Sequence, residues 1–192
     1  MENRAEKTII KVIVAILAVV AIVLLTVIGT YNSLVSKEVK VSEAMANIDT
    51  QLTRRAELIP NLVSTVKGFT EHETEVFDSV TKARENLLKA TSVSGKAEAS
   101  EEITSALGKL IAIAEAYPEL KSDSVYIGLM DELAGTENRI AIARESYNKA
   151  AAIFNKSLRT FPSNIIAGML GYNKAELFEA SESAKEVPSV EF

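Results

Sequence analysis

Cysteine and tryptophan are absent from this chain, histidine occurs once, and proline and glycine are scarce at 4 and 8 residues of 192. Each shortage closes off a class of protein. Without cysteine there is no disulfide framework, no thiolate nucleophile and no lipoprotein-type attachment. A single histidine, His72, cannot build a zinc site of the usual nitrogen and sulfur ligands, and zinc rarely accepts carboxylates as its full set. No alternating apolar and polar run occurs, and no Asn-Gly or Asp-Gly turn, so the raw material of hairpins, sandwiches and barrels is missing. Ala, Glu, Leu, Lys and Ile are plentiful instead, which is the composition of helices.

Charge has a sign. Of the 21 Lys+Arg and 26 Asp+Glu, residues 1–29 hold Arg4, Lys7, Lys11, Glu2 and Glu6, leaving 18 basic and 24 acidic residues beyond them. A domain that acidic is repelled by phosphate backbones, so nucleic acid is not an expected partner.

One stretch stands apart. Val12 to Ile28 reads VIVAILAVVAIVLLTVI, uncharged, with Thr26 as its only polar side chain. Ile9 and Ile10 extend it, with Lys11 near enough to the end to snorkel. Twenty helical residues reach ~30 Å, the thickness of a hydrocarbon core. The apolar core exceeds the ~7–15 residues of a signal-peptide h-region, and no A-x-A cleavage site follows. Ile9 to Ile28 is therefore expected to contact the lipid bilayer as an uncleaved anchor. Arg4, Lys7 and Lys11 before the span outnumber Lys37 and Lys40 after it, so the positive-inside rule favours an exported domain by a small margin. Tyr31 falls where an interfacial aromatic is expected.

Beyond the span, apolar residues recur at steps of three and four. Leu34, Val41, Met45, Ile48, Leu52 and Ile59 make a heptad seam. A second segment runs from Ile59 through Leu62, Val66, Phe69, Val76 and Val80 to Leu87, with a kink expected at Pro60. A loop is expected over Thr91 to Ala97. The third segment runs from Ile103 to Tyr117 and stops at Pro118; the fourth runs from Leu129 to Phe161 and stops at Pro162. Gly168 and Gly171 mark a turn, and Asn173 with Glu176 would cap a last short helix. The pattern predicts an all-α protein: a short segment 1–8, a transmembrane anchor helix 9–29, an elongated antiparallel four-helix-type bundle over 30–185, and an extended tail over 186–192.

Chemistry is harder to find. His72-Glu73 resembles the start of a zinc-protease motif, but the fifth position is Val76. Thr70-Glu71-His72-Glu73 fits a capping box better, with Glu73 bonding backbone amides at a helix start. The acidic groups Glu71, Glu73, Glu75 and Glu98, Glu101, Glu102 read as solvated faces, with nothing apolar nearby to raise a pKa. No Gly-x-Ser-x-Gly elbow or phosphate loop is present. No catalytic residue, cofactor or metal is expected. Arg54 and Arg55, beside Glu57, are the exception among the charges. Leu52 and Ile59 flank them in the seam, so one arginine must lie against the core and needs a carboxylate, with Glu137 or Glu145 as candidates. Glu137, Arg139, Arg144 and Glu145 lie close together on the fourth segment.

These residues carry a resemblance. Tyr31-Asn32-Ser33-Leu34-Val35, Arg54-Arg55, Glu57-Leu58-Ile59-Pro60-Asn61-Leu62-Val63, His72-Glu73 and Ala83-Arg84 resemble the LemA family, in that order. The likeness continues through Ala114-Glu115-Ala116-Tyr117-Pro118, Thr136-Glu137-Asn138-Arg139-Ile140-Ala141, Ala143-Arg144, Phe161-Pro162-Ser163-Asn164 and the closing Pro188-Ser189-Val190-Glu191-Phe192. Met45 departs from it, standing where relatives commonly carry tryptophan. The resemblance implies an N-terminal membrane anchor with a helical bundle, in the cytoplasmic membrane of bacteria or archaea, and it supplies no catalytic residue. Arg54, Arg55, Glu57, Pro60, Asn61, His72, Glu73, Glu137, Arg139 and Arg144 are candidates for holding the fold or for a shared interface. The functional expectation is a single-pass, self-associating scaffold of the cell envelope; the rival is an accessory or signalling subunit that binds another envelope protein.

Overall fold

In a computed structural model, which describes residues 2–70 and 72–179, all regular structure is helical. The tail expected over 186–192, and Glu71 of the expected capping box, lie outside the described residues. The helices are α1 (Glu2–Lys67), α2 (Thr74–Lys89), α3 (Val93–Ala114), α4 (Pro118–Lys121), α5 (Ser124–Ser157) and α6 (Ser163–Leu170). The chain divides into two compact units: Met1–Val41 with Ala150–Ala175, and Ser42–Lys149 with Glu176–Phe192.

In the first unit, the apolar stretch of α1 has every large side chain from Ile9 to Ile28 exposed. Nothing among the described residues covers it, unlike a core helix. Among the described residues, α1 is the one helix long and apolar enough to cross a membrane. The Thr26 hydroxyl donates to the Ile22 carbonyl at 2.8 Å, which removes the one polar group a lipid environment would penalise. Leu34 is fully buried, six residues past that stretch. Tyr172 packs edge-on to Phe154 with ring centroids 6.0 Å apart, and burial together with the neighbouring Glu38 carboxylate holds its phenol above the usual tyrosine range. Asn155 clamps extended backbone with its amide, donating to the Ala175 carbonyl and accepting from the Ala175 N–H, both at 2.8 Å.

In the second unit the contacts fix an up-down-up-down order. Lys67 lies over the Phe77 ring and Arg84 reaches Ala56, so α1 and α2 are antiparallel. Tyr117 meets Thr70 and Glu102 meets Asn86, so α3 reverses again. Glu101 faces Arg144 and Glu115 faces Tyr126, so α5 reverses once more. The seams meet inside: Ile48, Ile59, Leu62 and Val66 of α1 with Val80, Ile103, Leu110 and Ile140 are fully buried or nearly so. Each contributes ~1.5–3 kcal/mol of apolar burial. The all-α bundle expected from periodicity is what the chain forms.

Several local expectations are corrected. α1 passes through Pro60 and ends only at Gly68–Thr70. Thr70 does not cap α2. Its hydroxyl is buried against the Tyr117 phenol, 3.1 Å away, while Glu73 takes the N-cap position without a side-chain bond. The loop expected over Thr91 to Ala97 shrinks because Ser92 accepts from the Gly95 N–H at 3.0 Å and starts α3 at Val93. Pro118 not only stops a segment but opens α4, where its missing N–H is one that the first turn leaves free anyway. Phe69 and Phe161 are exposed, not core. Among the described residues no helix follows Asn173, and the last helix there is α6, closed by Gly171 at φ 70°, a left-handed cap that glycine adopts without strain. Residues 172–179 carry no regular secondary structure instead.

Candidate functional site

Adjacent positions on a helix differ by about 100°, so Arg54 and Arg55 must point to different faces. Arg55 takes the inward one. It is 4% exposed, whereas Arg54 lies in the open. A guanidinium this deep needs its hydrogens satisfied. Nη1 of Arg55 lies 2.5 Å from Glu137 Oε2 and donates to Ser100 Oγ at 3.4 Å, and Nη2 donates to Thr104 Oγ1 at 3.1 Å. Its Nε has no hydrogen-bond partner among the described residues. Ser100 and Thr104 sit one turn apart on α3, and Thr104 donates back to the Ser100 carbonyl at 3.0 Å.

Arg144 of α5 lies within electrostatic reach of the same carboxylate and of Glu101 on α3, without an ion pair to either among the described residues. Its guanidinium carbon stands 5.3 Å from the Phe178 ring centroid, a cation–π contact. Phe178 is held by the Asn148 amide through bonds of 2.8 and 2.9 Å to its carbonyl and N–H, and its ring meets Tyr147 edge-on at 5.4 Å. Burial lowers the affinity of both guanidinia for their protons, and Glu137 works against that in both cases. Arginine stays charged regardless. Arg55 thus depends on one half-exposed carboxylate, which Arg144 shares while also having Glu101.

A second, outer cluster lies on the surface. Arg54 grips Glu132 with Nη2 at 2.6 Å and Nε at 2.8 Å, and Arg139 Nη1 reaches the same oxygen at 3.2 Å. Hydrogen bonding from Arg139, aided by Arg54, holds the Glu132 carboxyl below the usual range. Stabilisation from a depressed carboxylate is present at neutral pH and is lost as pH falls through its folded-state value.

Of the two carboxylates proposed for the inward arginine, Glu137 is the partner, and Glu145 pairs instead with Lys149 at 2.5 Å. Glu57, Pro60 and Asn61 lie exposed on α1. Glu57 and Asn61, with Asp49, Thr53 and Arg54, border an open groove of about 800 Å³. His72 is exposed at the α1–α2 turn beside Glu73, and the bonds described for the arginine clusters include neither. Sequence reasoning missed Ser100, Thr104, Glu132 and Arg84. Among the described residues there is no group of three metal-ligating side chains. The arrangement can lock three helices, α1, α3 and α5, together; permanently charged guanidinia cannot exchange protons with a substrate.

Arg84 has a separate role that explains Pro60. A proline has no N–H, so the carbonyl four residues earlier, that of Ala56, is left without its helical donor. Arg84 Nε donates to that Ala56 carbonyl at 2.8 Å. The helix continues through Pro60 because a neighbouring helix supplies the missing bond. Arg84→Ala is expected to lower stability by about 1.5–3 kcal/mol. In a Pro60→Ala background, where residue 60 donates for itself, the same change should cost much less. Thermal melts of the four proteins measure the coupling, and equal costs in both backgrounds would reject it.

Residues 44–192 match the LemA family across most of the soluble part, beginning after the apolar stretch. Magnetosome protein MamQ 2 of Paramagnetospirillum magneticum is 28% identical over 180 residues, covering 80% of this chain and 66% of that protein. Magnetosome protein MamQ of Magnetospirillum gryphiswaldense is 27% identical over 179 residues with the same coverage. Protein LemA of Metamycoplasma hominis is 26% identical over 156 residues, which is 81% of this chain and 71% of its length. The chain therefore spans just under two thirds of the magnetosome relatives and more of the mycoplasmal one. With a family match over more than half its length, on the arginine, proline and glutamate positions just described, this chain belongs to the LemA family.

Proposed function

We propose that the protein is a non-enzymatic, single-pass membrane scaffold that associates with copies of itself, with its bundle on the extracytoplasmic face. The observation that carries the reading is where its charge is spent. The arginines and glutamates matching the family close helices onto one another, not a cavity around a substrate, while the apolar stretch from Ile9 to Ile28 is left wholly uncovered. A helix bare on every side can pack against lipid and against its own copies. The relatives named as magnetosome proteins are compatible with a structural role. Extraction in mild detergent followed by sizing is expected to give assemblies of several chains. A clean monomer across a range of protein concentrations would reject self-association. A reporter fused to the C-terminus should be active only in its exported form.

The alternative, an accessory subunit for another envelope protein, is favoured by one feature. Arg54, Glu57 and Asn61 line an open groove on α1 with their polar ends outward. Crosslinking in cells from position 57 or 61 distinguishes the two: more copies of this chain support the scaffold, a different protein supports the alternative.

A further inference from the structure

The apolar part of α1 is not the only lipid-compatible surface in the first unit. α6 carries no charged residue, yet it leaves Ile165, Met169 and Leu170 at 53%, 82% and 53% exposure, and Phe161 just before it at 76%. Side chains of this size, grouped on one short helix, are uncommon on a water-facing surface. Beside them, Lys156, Arg159 and Lys174 line an open cavity of about 480 Å³ with Asn155 and Thr160. None of the three cations is in an ion pair among the described residues.

Placement makes this combination informative. α6 is joined through Gly171 to Tyr172, and Tyr172 sits beside Glu38 and Tyr31 of α1. Glu38 is ten residues beyond the end of the apolar stretch, a rise of ~15 Å along a helix. An eight-residue helix such as α6 is itself ~12 Å long, enough to cover most of that rise. The same compact unit therefore holds a membrane-crossing stretch, an uncharged helix with its apolar side chains outward, and three unpaired cations. An apolar helix bordered by lysine and arginine is the chemistry of a segment lying in the headgroup region of an anionic bilayer.

We infer that α6, with Phe161, is a second membrane contact: it lies in the bilayer interface, with Lys156, Arg159 and Lys174 binding phosphate groups of anionic lipids. The occupant of this surface is lipid, not another copy of the chain.

Because the chain has no cysteine, a single Met169→Cys change gives one labelling site in the full-length protein. Labelled with an environment-sensitive dye and reconstituted into vesicles of phosphatidylglycerol and phosphatidylcholine, it should emit at shorter wavelength than a label at exposed Glu75→Cys. It should also be quenched by lipids carrying a spin label near the headgroup. Exchanging all three cations for glutamate should abolish the difference in quenching between these vesicles and pure phosphatidylcholine, with the helical signal unchanged. Emission like that of the Glu75 label overturns the inference. So does a blue shift without lipid quenching, which would mean a protein partner covers the helix.

Discussion

Glu137→Gln is expected to destabilise the bundle by about 3 kcal/mol, more than removal of the buried arginine it faces. The asymmetry follows from exposure. Glu137 has 47% of its side chain exposed, whereas Arg55 has 4%. Delete the arginine, as in Arg55→Met, and the carboxylate rehydrates and keeps Arg144 as neighbour; the loss should be about 1 kcal/mol. Delete the carboxylate charge, and Arg55 stays buried with no anion beside it, repelled by Arg144, which keeps only the more weakly acting Glu101. Ser100 and Thr104 still bond Arg55, but neutral hydroxyls do not offset a charge. For a chain of this size the melting temperature of Glu137→Gln should fall by ~6–12 °C. Adding Arg55→Met to Glu137→Gln should recover most of that loss, because it removes the stranded cation. Thermal melts followed by circular dichroism supply all four corners of the cycle. Additive losses would show that the pair is not coupled as its geometry requires.

The second large effect concerns the apolar stretch. Arginine at both Ala18 and Val19, its centre, should move the protein out of the membrane fraction. Each arginine at a helix centre costs about 2.5–3.5 kcal/mol of insertion, so two cost ~5–7 kcal/mol. Lys11 avoids this penalty by lying near the end, where its stem can snorkel; positions 18 and 19 are too deep. After alkaline carbonate washing, wild-type protein should remain in the pellet and the variant should appear in the supernatant. If both stay in the pellet, the stretch is not what holds the protein to the membrane.

What could be read from the residues divides along a physical line. Seams are periodic, so Leu34, Ile48, Leu52 and Ile59 announced which face of α1 is covered, and the covered face forced one arginine inward and demanded a carboxylate. That demand narrowed the partner to two glutamates, of which Glu137 holds the position. Features that depend on distant chain meeting backbone gave no such signal. The Thr70 capping box failed because a local motif was outcompeted by Tyr117, 47 residues away. Pro60 carried only the expectation of a kink, because its rescue by Arg84 comes from 28 residues away. The two asparagine clamps, on Ala175 and Phe178, are bonds to main chain and carry no periodicity at all. α6 hid because an uncharged run ending in two glycines, Gly168 and Gly171, has the composition of a turn.

The grip of Arg54 on Glu132 spans 78 residues of chain. During synthesis at ~5–20 residues per second, that separation corresponds to roughly 4–16 s. Through that interval α1 has left the ribosome while the glutamates that neutralise its arginines do not yet exist. The nascent protein must therefore wait, half assembled and with Arg54 and Arg55 lacking their α5 partners, until α5 arrives to close it. Any substitution that slows α5, or chemistry that neutralises those arginines early, would act on this waiting period and leave the finished fold untouched.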